Sequence, residues 1–145
     1  MIDLPRGAIG SEEPVSEANI DIAKRLYRAF AEKDIPTLVS LLADDVEWGE
    51  PENPYNPAGG TRTGHAGFME WLNIGRDAEE ILALEPSNFL TDADSVAVVG
   101  HMRCLAKPTG KTYESDFVHF IVLRDGKVTK FQEFFDTYIA GEAFR

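Results

Sequence analysis

At 145 residues, 43% of them hydrophobic, the chain has the length of one domain and enough apolar material for one core. Its 14 basic residues face 25 acidic ones, and the net charge of -11 opposes docking to phosphate backbones and anionic membranes, so neither nucleic acid nor a membrane is an expected partner. A single cysteine, Cys104, excludes an intrachain disulfide, and with no apolar leader and no run of membrane-spanning length the expected location is the cytoplasm.

Residues 1–16 hold two prolines, two glycines and three acids without periodicity, which predicts a poorly ordered arm ahead of a single domain over 17–145. From Glu17 to Lys33 the positions Ile20, Ala23, Leu26, Tyr27, Phe30 and Ala31 recur at helical spacing, with Ser16 available as N-cap. Asp34 is placed to cap a shorter helix with Pro36 in its first turn and Leu38, Leu41 and Leu42 inward, ending at Asp44-Asp45. Val46 to Glu50 reads as a short strand broken by Pro51. A long loop with Pro54, Pro57 and Gly59-Gly60 follows. A third helix is predicted over His65 to Asp77, with Phe68, Trp71, Leu72 and Ile74 on its inner side; Phe30, Phe68 and Trp71 read as core.

Four β-capable segments come next, about 82–91, 95–106, 112–123 and 127–136, separated by Asp92-Ala93-Asp94, Pro108-Thr109-Gly110 and Asp125-Gly126. These are hairpin signals, so the expected fold class is α+β: helices covering one face of a curved, mostly antiparallel sheet. By simple alternation the final strand puts Phe131 and Phe135 on one face and Val128 and Phe134 on the other. Helices can cover only one face, so a homodimer through the outer sheet face is expected.

The last turn decides which acid reaches the interior. A three-residue loop Arg124-Asp125-Gly126 sets His119 opposite Phe131 and Phe117 opposite Glu133; a two-residue loop sets His119 opposite Gln132 and Ser115 opposite Asp136. The turn at Pro108-Thr109-Gly110 poses a similar choice, either Gly100, Met102 and Cys104 inward or His101 and Arg103.

Taken together, Lys33-Asp34 through Leu42-Ala43-Asp44-Asp45, Trp48-Gly49-Glu50-Pro51, Arg62-Thr63-Gly64, Asp125-Gly126-Lys127-Val128 and Glu133-Phe134-Phe135-Asp136-Thr137 resemble the nuclear-transport-factor-2-like superfamily. The branches it resembles are the ketosteroid isomerases, limonene epoxide hydrolases and SnoaL-like polyketide cyclases, over about Asn19 to Ala140. The resemblance implies a cone made by a strongly bent sheet against three helices, with a ligand cavity inside. It favours Glu133 as the pocket acid, two residues before the aromatic Phe135, with Phe131 on the same face and Asp136 as the register-dependent fallback. On the first strand it implies that Glu50 falls where isomerases carry a proton-moving aspartate and Trp48 where epoxide hydrolases carry a water-positioning tyrosine. The isomerases' oxyanion tyrosine falls on Leu26, one place before Tyr27, and the epoxide hydrolases' Arg-x-Asp is missing at Gly100-His101-Met102-Arg103.

An acid in an apolar cavity has its charged form disfavoured, which suits proton transfer near neutral pH. The candidate catalytic residues are therefore Glu133, Glu50 and His119. Trp48, Tyr27, Met102, Phe117, Phe131 and Phe135 are the candidate contacts for a hydrophobic small molecule. The histidines at 65, 101 and 119 show no paired metal-ligand spacing and no dinucleotide glycine pattern occurs, so neither metal nor nucleotide cofactor is expected. The leading expectation is a cofactor-independent isomerase, cyclase or lyase acting on a hydrophobic carbonyl compound. The alternatives are an epoxide hydrolase and a non-catalytic ligand-binding or dimerisation domain.

Overall fold

The computed structural model describes residues 9–145. Residues 1–8 of the expected arm lie outside the described residues, while the remainder of it, from Ile9, already belongs to helix α1 (Ile9–Ala31). Helix α2 (Ile35–Leu41) starts at Asp34, whose carboxylate accepts from Thr37 N at 3.2 Å and from the Thr37 hydroxyl at 2.7 Å. It ends earlier than expected. Strand β1 (Leu42–Glu50) takes up the chain directly and runs through Asp44-Asp45, because Leu42, Val46 and Trp48 all have core to bury into. Strand β2 (Gly60–Thr63) then pairs back on β1, helix α3 (Gly64–Ala78) follows, and β3 (Glu79–Asp92), β4 (Ser95–Ala106), β5 (Lys111–Arg124) and β6 (Lys127–Phe135) complete one six-stranded sheet in the order β2-β1-β6-β5-β4-β3. All neighbours are antiparallel except β1 and β6, which run parallel.

Two elements had no counterpart in the sequence reading, the short β2 and helix α4 (Thr137–Phe144). Asp136 starts α4, accepting from Ile139 N at 3.1 Å, and Ala140, Ala143 and Phe144 bury against the sheet end. The aspartate is thus held as a cap, and Glu133 is the acid of this strand that turns inward.

The β5–β6 register matches neither of the two expected pairings. Asp125 and Gly126 both have positive φ, 51° and 77°, as a two-residue hairpin turn requires, so Arg124 pairs with Lys127 and Leu123 with Val128. Thr129 is then left without a partner as a bulge, its hydroxyl donating to Val122 O at 3.2 Å, and from Val122–Lys130 onward the register is displaced by one. His119 consequently stands opposite Glu133 and Phe117 opposite Phe135. The bulge also changes the expected faces: Val128 is buried on the same side as Phe131, and only Phe134 remains on the outer side, 54% exposed.

Strand β5 alternates cleanly, with Tyr113, Ser115, Phe117, His119, Ile121 and Leu123 inward. Four residues connect Ala106 to Lys111, an even number, which brings Gly100, Met102 and Cys104 to the same inner face and puts His101 and Arg103 outside. Gly100 is needed where it stands: a Cβ there would lie 2.4 Å from Phe117 Cζ and 2.5 Å from Glu85 O. The described residues contain no helix long and apolar enough to cross a membrane.

Candidate active site

The helices and the concave face of the sheet enclose a narrow cavity in which about 60 Å3 is open to the centre of a water molecule, a slot rather than a chamber. Its wall takes Tyr27 and Phe30 from α1, Trp48 and Glu50 from β1, Trp71 from α3, Glu79 from the first position of β3, Met102 and Cys104 from β4, Tyr113 and His119 from β5, and Phe131, Glu133 and Phe135 from β6. Apolar and aromatic surface dominates, with a few polar groups pointing in, the usual character of a small-molecule site.

The centre of the site is a chain of three side chains. Tyr27 Oη lies 2.5 Å from His119 Nδ1, and His119 Nε2 lies 2.7 Å from Glu133 Oε2. A Glu133 carboxylate accepts from Nε2–H, which leaves Nδ1 as the acceptor for the Tyr27 hydroxyl. His119 is 3% exposed, stacked on Phe117 with ring centroids 4.2 Å apart. Phe117 itself does not reach the cavity wall; it lies behind His119, in the space that the absent side chain of Gly100 leaves open. Burial, and after it the charge of Glu133, pushes the ionisation of Tyr27 well above the usual phenol range, so its hydroxyl keeps its proton.

Glu50 is set differently. Asn56 Nδ2 donates to its Oε2 at 3.1 Å, Trp71 Nε1 donates to its Oε1 at 3.3 Å, and the residue is buried. Asn56 is itself fixed by the loop, since its Oδ1 accepts from Ala58 N at 3.0 Å. Burial, then the nearby Glu133 and Glu79, push Glu50 up to about 8 against the pull of its two donors. At neutral pH Glu50 is a neutral acid. Trp48 fixes the floor between the two acids by stacking on Phe131, centroids 3.9 Å apart and planes 6° from parallel, and its Nε1 is buried without a protein partner among the described residues.

Of the residues nominated from sequence, Glu133, Glu50, His119, Trp48, Tyr27, Met102, Phe131 and Phe135 meet at one cavity, whereas Phe117 supports it from behind and Asp136 caps α4. Trp71 was read as core and instead donates to Glu50. Three residues went unrecognised: Asn56, Glu79 and Tyr113. The Tyr113-Ser115-Phe117-His119 alternation was there to find Tyr113. Glu79 sits in the polar run Arg76-Asp77-Ala78-Glu79-Glu80 where helix becomes strand, and nothing in that run separates an inward acid from a solvated one.

Comparison with known proteins places this geometry in a family. The chain is similar to an NTF2-like protein from Burkholderia xenovorans LB400 (33% identity, 90% of this chain and 98% of that one, TM-score 0.81). It is also similar to TerC co-crystallised with polyporic acid (34% identity, 88% and 98%, TM-score 0.79). A candidate polyketide cyclase from Xanthomonas campestris pv. campestris shares the fold at 18% identity, over 90% and 98% of the two chains, with a TM-score of 0.71. No curated protein matches the sequence. The family model described as the SnoaL-like domain matches residues 23–131, and the chain belongs to the SnoaL-like family, with an NTF2-like, cystatin-like fold.

Proposed function

We propose that this chain is a cofactor-independent proton-transfer enzyme of the isomerase, cyclase or lyase type, acting on a hydrophobic, carbonyl-containing substrate. The observation that carries the reading is the pairing, in one apolar slot, of a neutral Glu50 with a Glu133 held by His119. Two carboxyl groups in unlike settings supply an acid and a base together. In this mechanism Glu133, steered by His119, takes a proton from the carbon beside the carbonyl, while the Glu50 acid or the Tyr27 hydroxyl donates to the carbonyl oxygen as negative charge builds there. A slot walled by the rings of Tyr27, Phe30, Trp48, Trp71, Phe131 and Phe135 favours planar, unsaturated molecules. The co-crystallisation of the 34% identical TerC with polyporic acid supports a small-molecule ligand for this chain too. No arginine lines the cavity among the described residues, and so nothing here supports the arginine-bridged acid pair of epoxide hydrolysis.

The test is incubation with a panel of aryl ketones and hydroxyquinones in D2O, followed by NMR. Deuterium is expected at the carbon beside the carbonyl of the preferred compounds, and exchange no faster than in buffer across the panel rules the reading out.

The same reading carries a homodimer through the outer sheet face. Val118 and Phe120 on β5 are 37% and 38% exposed, with Phe134 beside them and no element over them among the described residues. Next to this patch Arg103 Nε lies 3.7 Å from Glu114 Oε1, so the face holds both signs of charge and can complement its own copy about a two-fold axis. Light scattering at micromolar concentration is expected to give about twice the 16.1 kDa chain mass. The double variant Phe120→Asp, Phe134→Asp is expected to give one chain mass; a monomeric parent protein excludes the dimer.

A further inference from the structure

The proton-transfer machinery leaves one end of the cavity unused. There Tyr113 donates its hydroxyl to Glu79 Oε2 at 2.6 Å, with the Cys104 thiol alongside as its cross-strand neighbour. Tyr113 is only 5% exposed, and its ring packs on Phe144 of α4, which closes this end of the sheet. Glu79 Oε1 has no hydrogen-bond partner among the described residues, yet it is not a sealed orphan, because Trp48 Nε1 is the atom in that condition. One carboxyl oxygen is therefore tied and oriented by tyrosine while the other is left to the cavity. Tyr113 and His119 lie on the same inner face of β5, with Ser115 and Phe117 between them, and the one cavity touches both.

We infer that Glu79 and Tyr113 form a second polar subsite, which binds a hydroxyl group at the far end of an elongated aromatic substrate. The inference rests on the carbonyl end being held by Tyr27, His119 and Glu133, and it deepens that reading by naming the substrate class: a planar hydrophobic molecule with a carbonyl at one end and a phenolic or enolic hydroxyl at the other. The substrate hydroxyl donates to Glu79 Oε1, and Tyr113 keeps the carboxyl group from rotating away. Burial, opposed by the Tyr113 hydrogen bond and reinforced by Glu133, raises Glu79 above the usual carboxylate range. A carboxyl oxygen that no protein group ties favours a ligand that brings a donor, because a ligand without one leaves the oxygen unpaired.

Both tryptophans of the chain, Trp48 and Trp71, line this cavity, so quenching of their fluorescence reports occupancy directly. The matched probes are 4-acetyl-4′-hydroxybiphenyl and 4-acetylbiphenyl, which differ only in the distal hydroxyl. The parent protein is expected to bind the hydroxylated probe about 10- to 100-fold more tightly. Glu79→Gln is expected to shrink that ratio to within about threefold, chiefly by weakening the hydroxylated probe, and Tyr113→Phe to shrink it partway. Equal binding of the two probes by the parent protein, binding of neither at millimolar concentration, or a ratio that survives Glu79→Gln overturns the subsite. This ratio needs no turnover: absence of deuterium exchange sinks the proton-transfer reading and leaves the ratio standing, whereas exchange without a hydroxyl preference sinks only the subsite.

Discussion

Glu133→Gln is expected to lower deuterium exchange into the preferred ketone by about 10²- to 10⁴-fold, the range that a positioned general base contributes. The amide keeps the shape of the carboxyl group and can still accept from His119 Nε2, now 2.7 Å from Glu133 Oε2, so packing against Phe131 and Phe135 is conserved. What is lost is the capacity to take a proton. The loss should fall on kcat rather than on the fluorescence-measured affinity, since the residue acts on charge that develops during the reaction. Thermal unfolding within a few degrees of the parent protein separates this result from simple misfolding. Unchanged exchange in the variant removes Glu133 from the mechanism.

The second large effect is on stability and concerns Glu50. Its carboxyl group has a folded-state value of about 8 against 4.5 for an unhindered glutamate. Between those values the folded chain holds a proton that the unfolded chain has released, so folding grows less favourable as pH rises. The stabilisation is complete below the unfolded value and is lost as pH climbs through the folded one. The loss is up to about 5 kcal/mol across the whole interval, as an order of magnitude. Glu79, raised for the same reason, adds in the same direction. Urea unfolding at pH 5, 7 and 9 is expected to show a steady decline in the parent protein and a flatter profile in Glu50→Gln, which becomes the more stable of the two at pH 9. Activity should fall over the alkaline part of the same range as the Glu50 acid deprotonates. Identical slopes in the two proteins contradict a buried neutral acid.

The sequence carried the α+β class, the Asp34 cap of α2 and most of the strands because hairpin turns and amphipathic periods are local properties, whereas Ser16, offered as the cap of the first helix, lies inside α1. The pocket face of β6 came out correctly by a compensation: the turn has two residues rather than three, and the Thr129 bulge restores the parity that the longer turn was assumed to set. Bulges of this kind depend on how a strand must bend over its core, which no five-residue window contains. Tyr27 was legible as an aromatic on the inner helix face, but its contact with His119 spans 92 positions and appears only once α1 lies across the sheet. Asn56 and Glu79 were hidden because a loop asparagine and an acid at a helix end are ordinary surface residues until tertiary packing turns them inward. Helix α4 is short, with eight residues, and is built around small Ala140, Gly141 and Ala143, so it lacks the wide apolar stripe that marks longer helices.

The unpaired Thr129 bears on how such a site can change over generations. A lineage that loses this one residue can iron out the bulge and still present Glu133 opposite His119, so strand length is free to drift by one without cost to the acid. A lineage that straightens the strand at constant length instead turns Gln132 and Phe134 inward and exports Glu133 to the outer face, with neither codon altered. Inheritance of the acid in this fold is therefore governed by a residue that touches no ligand, and aligned glutamates are equivalent only between chains that share the bulge or have lost it together with its residue.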